Sequence, residues 1–379
     1  MAFSVKHTNP EWEFSHAKGR CGGPCSITAD GSPVLSMLDC SFNGVSDSNL
    51  RASSSRLYHK AGQSVFESDG VFPSGPSINQ ICRYAGNAVR ITWDVAWPKE
   101  TRPTKPFQIG NARLEGRWTK LTTISRDGSP ESFDLSKGVF EVPGTPISLI
   151  LHREDGVKFE YSLGYDLWRW DHALGQPVAA PFSLEINDGQ TTIFHCVCDP
   201  TPEEVFPEAR KYRFMALVAF STPSMPKAPS VEAPETVSFT AGKPDIDARS
   251  LSSNLLRINY LDMPNIENGK RLTETGRHDI CLEDNHSLMA VKRTIRQLAS
   301  FSDNGTLLLE GLVPGLCTDG SHCEKKQPRQ HCDLYSLVTF LAWAKNCLGS
   351  GWTIMTPQPS PWNELPSLAY SHLPLDFDY

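Results

Sequence analysis

Asp-Gly pairs recur along the first half of the sequence, each between short segments in which apolar and polar residues alternate. The pairs are Asp30-Gly31, Asp69-Gly70, Asp127-Gly128, Asp155-Gly156 and Asp188-Gly189. A two-residue hairpin turn needs positive φ angles, which Gly adopts freely and Asp tolerates. The repetition therefore predicts that the N-terminal part of the chain is an antiparallel, all-β body.

Individual strands are predicted from alternating or continuous apolar segments near these pairs. They cover residues 87–97, 146–154, 157–165, 182–186, 190–198 and 212–220. The last segment is apolar almost throughout, as expected of a central strand that is buried on both faces. The sequence thus predicts a mostly β protein, with an antiparallel β-sandwich or barrel over residues ~1–220.

The composition changes after Phe220, where residues 222–250 are rich in Pro, Ala, Ser and Glu and suit an extended connector. Beyond it, Leu288, Val291 and Ile295 recur at helical spacing, and a second helix is expected from Asp333 up to Gly349 as its C-cap. Residues 306–313 suit a strand or a buried connector. We therefore expect a β-domain at 1–221, a connector at 222–250 and a smaller α-containing unit with an extended tail at 251–379.

The net charge, the length of the apolar segments and the cysteine content argue against some classes of function and partner. A net charge of −7 argues against a broad nucleic-acid-binding surface, because neutralising phosphates needs clustered Lys and Arg. No apolar run approaches the ~20 residues of a membrane-spanning helix, and the first residues lack a secretory signal. Together with 11 Cys, this predicts a soluble, cytoplasmic protein with reduced thiols and no membrane partner.

The regular succession of predicted hairpins in the first ~220 residues resembles that of carbohydrate-associated sandwiches of the galactose-mutarotase type. Lipocalin-like barrels and jelly rolls share the same succession of hairpins. The resemblance is carried by no family motif and transfers no functional residue.

The densest run of chemically versatile side chains lies between residues 165 and 172. It predicts Trp168, Arg169 and Trp170 as substrate-binding residues, and Asp171 and His172 as catalytic residues. Tryptophan rings stack on apolar sugar faces, while charged groups take hydroxyls or carboxylates. Alternatively, the tryptophans fill the core and Arg169–Asp171 is an ordinary surface pair.

Two further groups extend the candidate site. In a strand, Arg113, Glu115 and Arg117 would project to one side next to Trp118 and bind an anionic substrate such as a uronate, although such a trio also suits a solvated charge ladder. His195 alternates with apolar residues, so burial would keep it neutral as a general base. A satisfied core histidine is the alternative.

A cluster near the C-terminal helices has enough soft ligands to hold a structural zinc, but its spacing departs from the usual paired-cysteine pattern. Its members are Cys317, His322, Cys323, His331 and Cys332. The sequence contains no nucleotide-binding glycine motif, no phosphate loop and no zinc-protease helix. We therefore expect no cofactor and assign no metal site.

These observations favour a cofactor-independent acid–base enzyme of epimerase, lyase or hydrolase type, acting on a carbohydrate-like small molecule in the sandwich cavity. One alternative is a cyclase or isomerase of a hydrophobic natural-product scaffold in a lipocalin-like cavity. Another is a non-catalytic carbohydrate-binding or protein-interaction module. The sequence leaves the oligomeric state open.

Overall fold

The protein was studied as a computed structural model, which describes most of the N-terminal region and separate segments of the C-terminal region. The described residues are 2–8, 10–60, 63–73, 75–98, 104–105, 107–124, 130–144, 146, 148–163, 182–198, 210–225, 255–259, 285–301, 303, 305–310, 316–317, 329–330, 334–349 and 351–355. The chain divides into two compact units between Met225 and Pro226.

The described residues of the first unit form eighteen strands. In chain order they are β1 (Ala2–Thr8), β2 (Glu11–Ala17), β3 (Ser26–Ala29), β4 (Ser32–Phe42), β5 (Val45–Ser46), β6 (Ser54–Lys60), β7 (Gln63–Val71), β8 (Ser77–Ala85), β9 (Ala88–Trp97), β10 (Phe107–Glu115), β11 (Trp118–Ile124), β12 (Pro130–Asp134), β13 (Gly138–Glu141), β14 (Ser148–Arg153), β15 (Lys158–Leu163), β16 (Phe182–Asn187), β17 (Gln190–Cys198) and β18 (Arg210–Ser221).

The strands form two antiparallel sheets of nine strands each. The first sheet has the order β1-β2-β3-β4-β10-β17-β16-β13, with β5 paired to β4. The second has the order β12-β11-β14-β15-β18-β9-β8-β7-β6. The predicted mostly β, antiparallel body is confirmed. It is a sandwich of two open sheets rather than a closed barrel.

The predicted hairpins explain much of this pairing. Asp155-Gly156 joins β14 to β15 and Asp188-Gly189 joins β16 to β17, with Gly156 and Gly189 at φ angles of 89° and 79°. Asp30-Gly31 turns between β3 and β4 with both residues at positive φ, 50° and 73°. The strand predicted at residues 212–220 is confirmed as β18, which lies between β15 and β9.

Asp69-Gly70 was wrongly predicted as a turn, since both residues lie inside β7. The side chain of Asp69 accepts hydrogen bonds from Ser54 Oγ on β6 (2.5 Å) and from Asn79 Nδ2 on β8 (2.7 Å). Gly70 has no side chain where Cys21 Sγ packs against it. Pairing on both sides therefore keeps this segment extended. Asp127-Gly128 lies outside the described residues.

Aromatic side chains fill the space between the two sheets. Trp97 of the second sheet meets Phe107 of the first edge to face at 4.8 Å between ring centroids, and Tyr161 meets Phe182 at 5.9 Å. Burying rings of this size supplies most of the stabilisation of such a core. The largest fully buried side chains are Trp93, Trp97, Trp118, Tyr161, Phe14, Phe42, Phe66, Phe72 and Phe107.

In the second unit, the segments that the structure describes form two helices and five short strands. The helices are α1 (Asn285–Phe301) and α2 (Leu334–Leu348), and the strands are β19 (Leu255–Asn259), β20 (Gly305–Glu310), β21 (Leu316–Cys317), β22 (Arg329–Gln330) and β23 (Trp352–Met355). Both predicted helices are confirmed, and Gly349 has the left-handed φ (82°) expected of a C-cap. β20 pairs in parallel with β19 and β23, so this unit combines helices with a small parallel sheet.

Candidate functional site on the outer face of the second sheet

Polar side chains gather on the face of the second sheet that points away from the first sheet, hereafter the outer face. Because side chains alternate along a strand, neighbours of core residues such as Tyr161 point to this side. The outer face comprises Lys120 and Thr122 of β11, Ser148, Ile150 and His152 of β14, Lys158, Glu160 and Ser162 of β15, Leu217 and Ala219 of β18, Ala88 and Arg90 of β9, and Arg83 of β8.

The strand register arranges these side chains in three rows across the sheet. The lysine row is Lys120, His152 and Lys158; the glutamate row is Thr122, Ile150, Glu160, Ala219 and Ala88; the arginine row is Ser148, Ser162, Leu217, Arg90 and Arg83. Residues directly opposite one another lie ~5 Å apart, and neighbouring rows lie ~7 Å apart along the strands. All three rows therefore fit within the span of a small oligosaccharide.

Glu160 is the central charged group of this face. Its Oε1 accepts hydrogen bonds from Ser162 Oγ at 2.9 Å and Ser148 Oγ at 3.1 Å, and the two hydroxyl oxygens lie 2.8 Å apart. Although Glu160 points away from the inter-sheet core, it is fully buried. Ala219 and Ala88 follow it in the same row on the next two strands.

His152 is the second titratable group. It pairs directly with Lys158 and is therefore a diagonal neighbour of Glu160, at a Cα separation of about 7–8 Å. Its Nε2 lies 3.3 Å from Thr122 Oγ1. Burial, together with the charges of Lys158 and Lys120, lowers the pKa of His152 from 6.5 to about 4, so its imidazole is neutral at pH 7.

Solvent exposure changes steeply across the rows. Lys120 is exposed, His152 and Lys158 are half-buried, and Glu160 one row further on is buried. The lysine row is therefore the more exposed edge of this face, and the carboxylate one row further on lies in a low-dielectric environment, where electrostatic interactions are stronger than in water.

His195 is the predicted catalytic residue that the structure describes, and it lies in the packed core between the sheets. Its Nδ1 is 2.8 Å from the Ile109 carbonyl oxygen, which can only accept, so Nδ1 carries the proton. The ring stacks on Phe182 at 4.6 Å. Burial lowers its pKa to about 4, although the Ile109 carbonyl opposes this. The predicted neutral state is thus confirmed, while its catalytic role stays a prediction.

The three charged residues predicted to share one strand face, Arg113, Glu115 and Arg117, do not all lie on one strand. Arg113 and Glu115 lie on β10, where Arg113 is exposed and Glu115 Oε1 accepts from Gln190 Nε2 at 3.0 Å. Arg117 lies beyond the end of this strand, after Gly116 at φ 95°, and forms an exposed ion pair with Glu154 at 3.5 Å. The strand ends before Arg117, so the premise of a single three-residue ladder was wrong.

Trp118 lies in the interior, where its ring packs against Phe159 and under the Arg153 guanidinium. Arg153 donates from Nη1 to the carbonyl oxygens of Pro33 (2.8 Å) and Glu115 (3.1 Å), both on the first sheet. Trp118 and Arg153 therefore connect the two sheets. A substrate-binding role for Trp118 stays a prediction.

Trp168, Arg169, Trp170, Asp171 and His172 lie outside the described residues, and so do His322, Cys323, His331 and Cys332 of the predicted metal cluster. The backbone of Cys317 is described, as part of β21. Within the described part of the chain, no group of three or more His, Cys, Asp or Glu side chains is arranged to hold a metal ion. In the same residues, no helix is long and apolar enough to cross a membrane.

The sequence reasoning missed His152 and Glu160 for a physical reason. Lys158, Glu160 and Ser162 alternate with core residues, which is also the pattern of an ordinary solvated strand face. One available signal was His152 itself, an imidazole that directly follows the three aliphatic residues Leu149–Leu151 of strand β14. Their burial depends on contacts distant in sequence and is not encoded locally.

A second cluster of buried acids lies in the first sheet. Asp47 is fully buried, with Oδ1 accepting from the Cys40 backbone N–H at 3.0 Å, and Asp39 on β4 accepts from the hydroxyl of Ser46. Burial and the nearby Asp39 raise the pKa of Asp47 well above its usual range. Enclosure in the core indicates a structural role for this pair.

No protein-family model and no curated protein matches this sequence. Similar solved structures include the Slr1438 protein from Synechocystis sp. PCC 6803, with 13% identity and a TM-score of 0.38, covering 59% of this chain and 96% of that one. A galactose mutarotase related enzyme from Lactobacillus acidophilus has 7% identity and a TM-score of 0.35, with 59% and 98% coverage. A GH36 alpha-galactosidase from Geobacillus stearothermophilus has 10% identity and a TM-score of 0.34, with 93% and 65% coverage. These values assign the chain neither to a family nor to an activity.

Proposed function

We propose that this protein is a cofactor-independent acid–base enzyme of isomerase or lyase type that acts on a carbohydrate-like small molecule at the outer face of the second sheet. The observation that carries the proposal is the diagonal placement of His152 and Glu160 on the β14–β15 hairpin. Acid–base catalysis needs two proton-transferring groups within reach of one substrate, and these residues are diagonal neighbours with Cα atoms about 7–8 Å apart, close enough for both side chains to approach one small molecule.

The surroundings of the pair support this chemistry. The hydroxyls of Ser148 and Ser162 hold the Glu160 carboxylate in place, and the neutral imidazole of His152 keeps a lone pair available. Groups that are preorganised and shielded from water act without the reorganisation that water would need. Neutral hydroxyls beside charged groups also suit recognition of a polyhydroxylated ligand.

The interior of the sandwich is a less favourable location for the reaction. His195 and Trp118 lie among aromatic side chains that fill the space between the sheets. The proposal therefore transfers the predicted chemistry to the outer face. It keeps His172 and Asp171 as candidates for additional roles, which a His172→Ala variant would test.

The experiment is a ¹H NMR assay of the full chain against a panel of neutral and acidic hexoses and their disaccharides. Signals for an epimer, an unsaturated product or a released monosaccharide would identify turnover. We expect His152→Ala and Glu160→Gln each to lower the turnover rate at least ~100-fold, the usual contribution of a general acid or base. The matched control is His59→Ala, which removes an exposed histidine of strand β6.

Retention of full activity in both site variants, with folding verified by circular dichroism, would contradict the proposal. Binding of a sugar without turnover of any panel member would favour the non-catalytic binding module instead.

A further inference from the structure

We propose that two copies of this chain associate through strand β13, which pairs with β13 of the second copy in antiparallel orientation, with the two Val139 residues opposite each other on a two-fold axis. The first sheet then continues from one copy into the other. This inference goes beyond the proposed function, because it concerns the edge of the first sheet and not the outer face of the second.

β13 is an edge strand whose outward main-chain groups can bind a further strand. Of the described strands, it pairs only with β16. The Val142 N–H donates to the Phe182 carbonyl oxygen at 3.0 Å, and the register gives Phe140 the same kind of pair with β16. Because hydrogen-bonded residues alternate along an antiparallel pair, the N–H and C=O groups of Val139 and Glu141 point away from β16.

The side chains along this edge are exposed. Val139 has 72% of its surface exposed, more than any other large hydrophobic residue that the structure describes. Glu141 is exposed as well, and the side chain of Lys137 is 66% exposed. Phe140 packs toward the second sheet, where its ring lies 5.4 Å from that of Phe133 on β12. Val139 and Glu141, on either side of Phe140, therefore point to the opposite face.

Charge complementarity selects one register for the pairing. Val139 lies midway between Lys137 and Glu141, so a pair centred on Val139 places Lys137 of each copy opposite Glu141 of the other. The same register makes the two Val139 residues a hydrogen-bonded pair, as their outward main-chain groups require. Two-fold symmetry forms each contact twice. Lys137 also contacts Asp188 of its own chain at 2.5 Å, and its ammonium group has further hydrogens for a second carboxylate.

The other edge strands of the sandwich lack this self-complementarity. They are β1 in the first sheet, and β6 and β12 in the second. The charged side chains of β1 and β6 are all basic, and those of β12 are all acidic. Pairing any of these strands with its own copy would bring like charges together, which is one way in which proteins protect sheet edges. β13 is therefore the edge at which a second copy supplies the matching charges.

The test is the oligomeric state of the full chain, measured by sedimentation velocity from about 1 to about 500 µM. An interface built on one strand edge is smaller than that of a permanent dimer, so we expect a reversible dimer with a Kd of roughly 10–100 µM. Val139→Lys should abolish the dimer, because two ammonium groups would meet at the two-fold axis. The matched control is Val71→Lys on β7 of the second sheet, where Val71 is 63% exposed, and it should leave the Kd unchanged.

Charge reversal tests the register. Lys137→Glu and Glu141→Lys should each weaken self-association about 10-fold, because each replaces two contacts between opposite charges by two between like charges. The double variant Lys137→Glu/Glu141→Lys should regain the wild-type Kd. The two single variants, mixed in equal amounts, should form a heterodimer of near wild-type affinity, because every contact across their interface again joins opposite charges.

A wild-type chain that stays monomeric at about 500 µM would overturn the inference and favour a strand from a different protein as the partner of this edge. A dimer that persists in Val139→Lys, with folding verified by circular dichroism, would also overturn it, because the contact would then lie on another surface. Charge variants that associate with themselves as tightly as with each other would refute the pairing of Lys137 with Glu141. These outcomes do not depend on whether the proposed activity is found, since β13 belongs to the first sheet.

Discussion

Gly110 is the position at which one added methyl group should disturb both sheets. It has a φ of 69° within an irregular stretch of β10, where the register shifts between Gln108 and Ala112. A Cβ at this position would overlap the hydroxyl oxygen of Tyr161 and lie 3.0 Å from Trp93 Cη2. Only glycine satisfies both the backbone conformation and the close approach of the second sheet.

The cost of Gly110→Ala has two parts. A left-handed φ in a residue other than glycine costs roughly 1–2 kcal/mol, and overpacking a filled core typically adds about 1–3 kcal/mol. We therefore expect the free energy of unfolding to fall by about 2–5 kcal/mol. Gly31→Ala is the matched control, because Gly31 has a similar φ of 73° but open space around its Cβ position. It should cost only the backbone part, roughly 1–2 kcal/mol.

A double-mutant cycle isolates the contact between a side chain at position 110 and the hydroxyl group of Tyr161. Tyr161→Phe alone removes a long hydrogen bond to the Ile109 carbonyl (3.5 Å) and should cost about 1 kcal/mol or less. In the Gly110→Ala background it should recover about 1 kcal/mol, because the atom that meets the new methyl group first is gone. Urea denaturation followed by tryptophan fluorescence measures all four proteins. Additive effects, or equal costs for Gly110→Ala and Gly31→Ala, would refute the argument.

Three further predictions concern buried titratable groups. His195 has a pKa of about 4 in the folded protein against an ordinary 6.5. The free energy of unfolding should therefore fall by about 3 kcal/mol as the pH falls through this range. In urea titrations, the His195→Phe variant should lose less unfolding free energy than the wild type between pH 7 and pH 4.5. Asp47 has a raised pKa, so its contribution to the free energy of unfolding is present below its ordinary pKa of 3.8 and is lost as the pH rises. The stability of the Asp47→Asn variant relative to the wild type should therefore increase between pH 5 and pH 8. Glu160→Ala should lower the unfolding free energy by about 2–4 kcal/mol more than Glu160→Gln, which keeps an acceptor for Ser148 and Ser162; equal melting temperatures in calorimetry would contradict this.

Local sequence was sufficient to predict the hairpins whose turns are exposed. Asp155-Gly156 and Asp188-Gly189 connect consecutive strands, and the residues on either side need only pair with each other. Asp69-Gly70 consists of the same two residues but lies within β7, near its C-terminal end, where Ser54 and Asn79 on the two flanking strands bind the carboxylate. The failed prediction is explained by pairing across the sheet, which a two-residue signal does not contain.

The site was harder to predict than the fold because its residues are scattered and individually ordinary. His195 was correctly predicted as buried and neutral, since its apolar neighbours on β17 encode that environment. The pKa of His152 is lowered to about 4 by burial and, to a smaller extent, by the charges of Lys158 and Lys120, which come from two other strands. Only the register aligns these three residues, so their combination becomes visible once strand order is known.

Strand β15 connects the core with the proposed site, because successive residues point to opposite sides of the second sheet. Tyr161 reaches inward to the Ile109 carbonyl next to Gly110, while Glu160 and Ser162 on either side of it point outward. Any displacement of Tyr161 by a larger residue at 110 must therefore move the carboxylate and the hydroxyl that donates to it. Acid–base catalysis depends on sub-ångström positioning, so Gly110→Ala should reduce turnover more than its effect on the folded population alone accounts for, whereas Gly31→Ala should not.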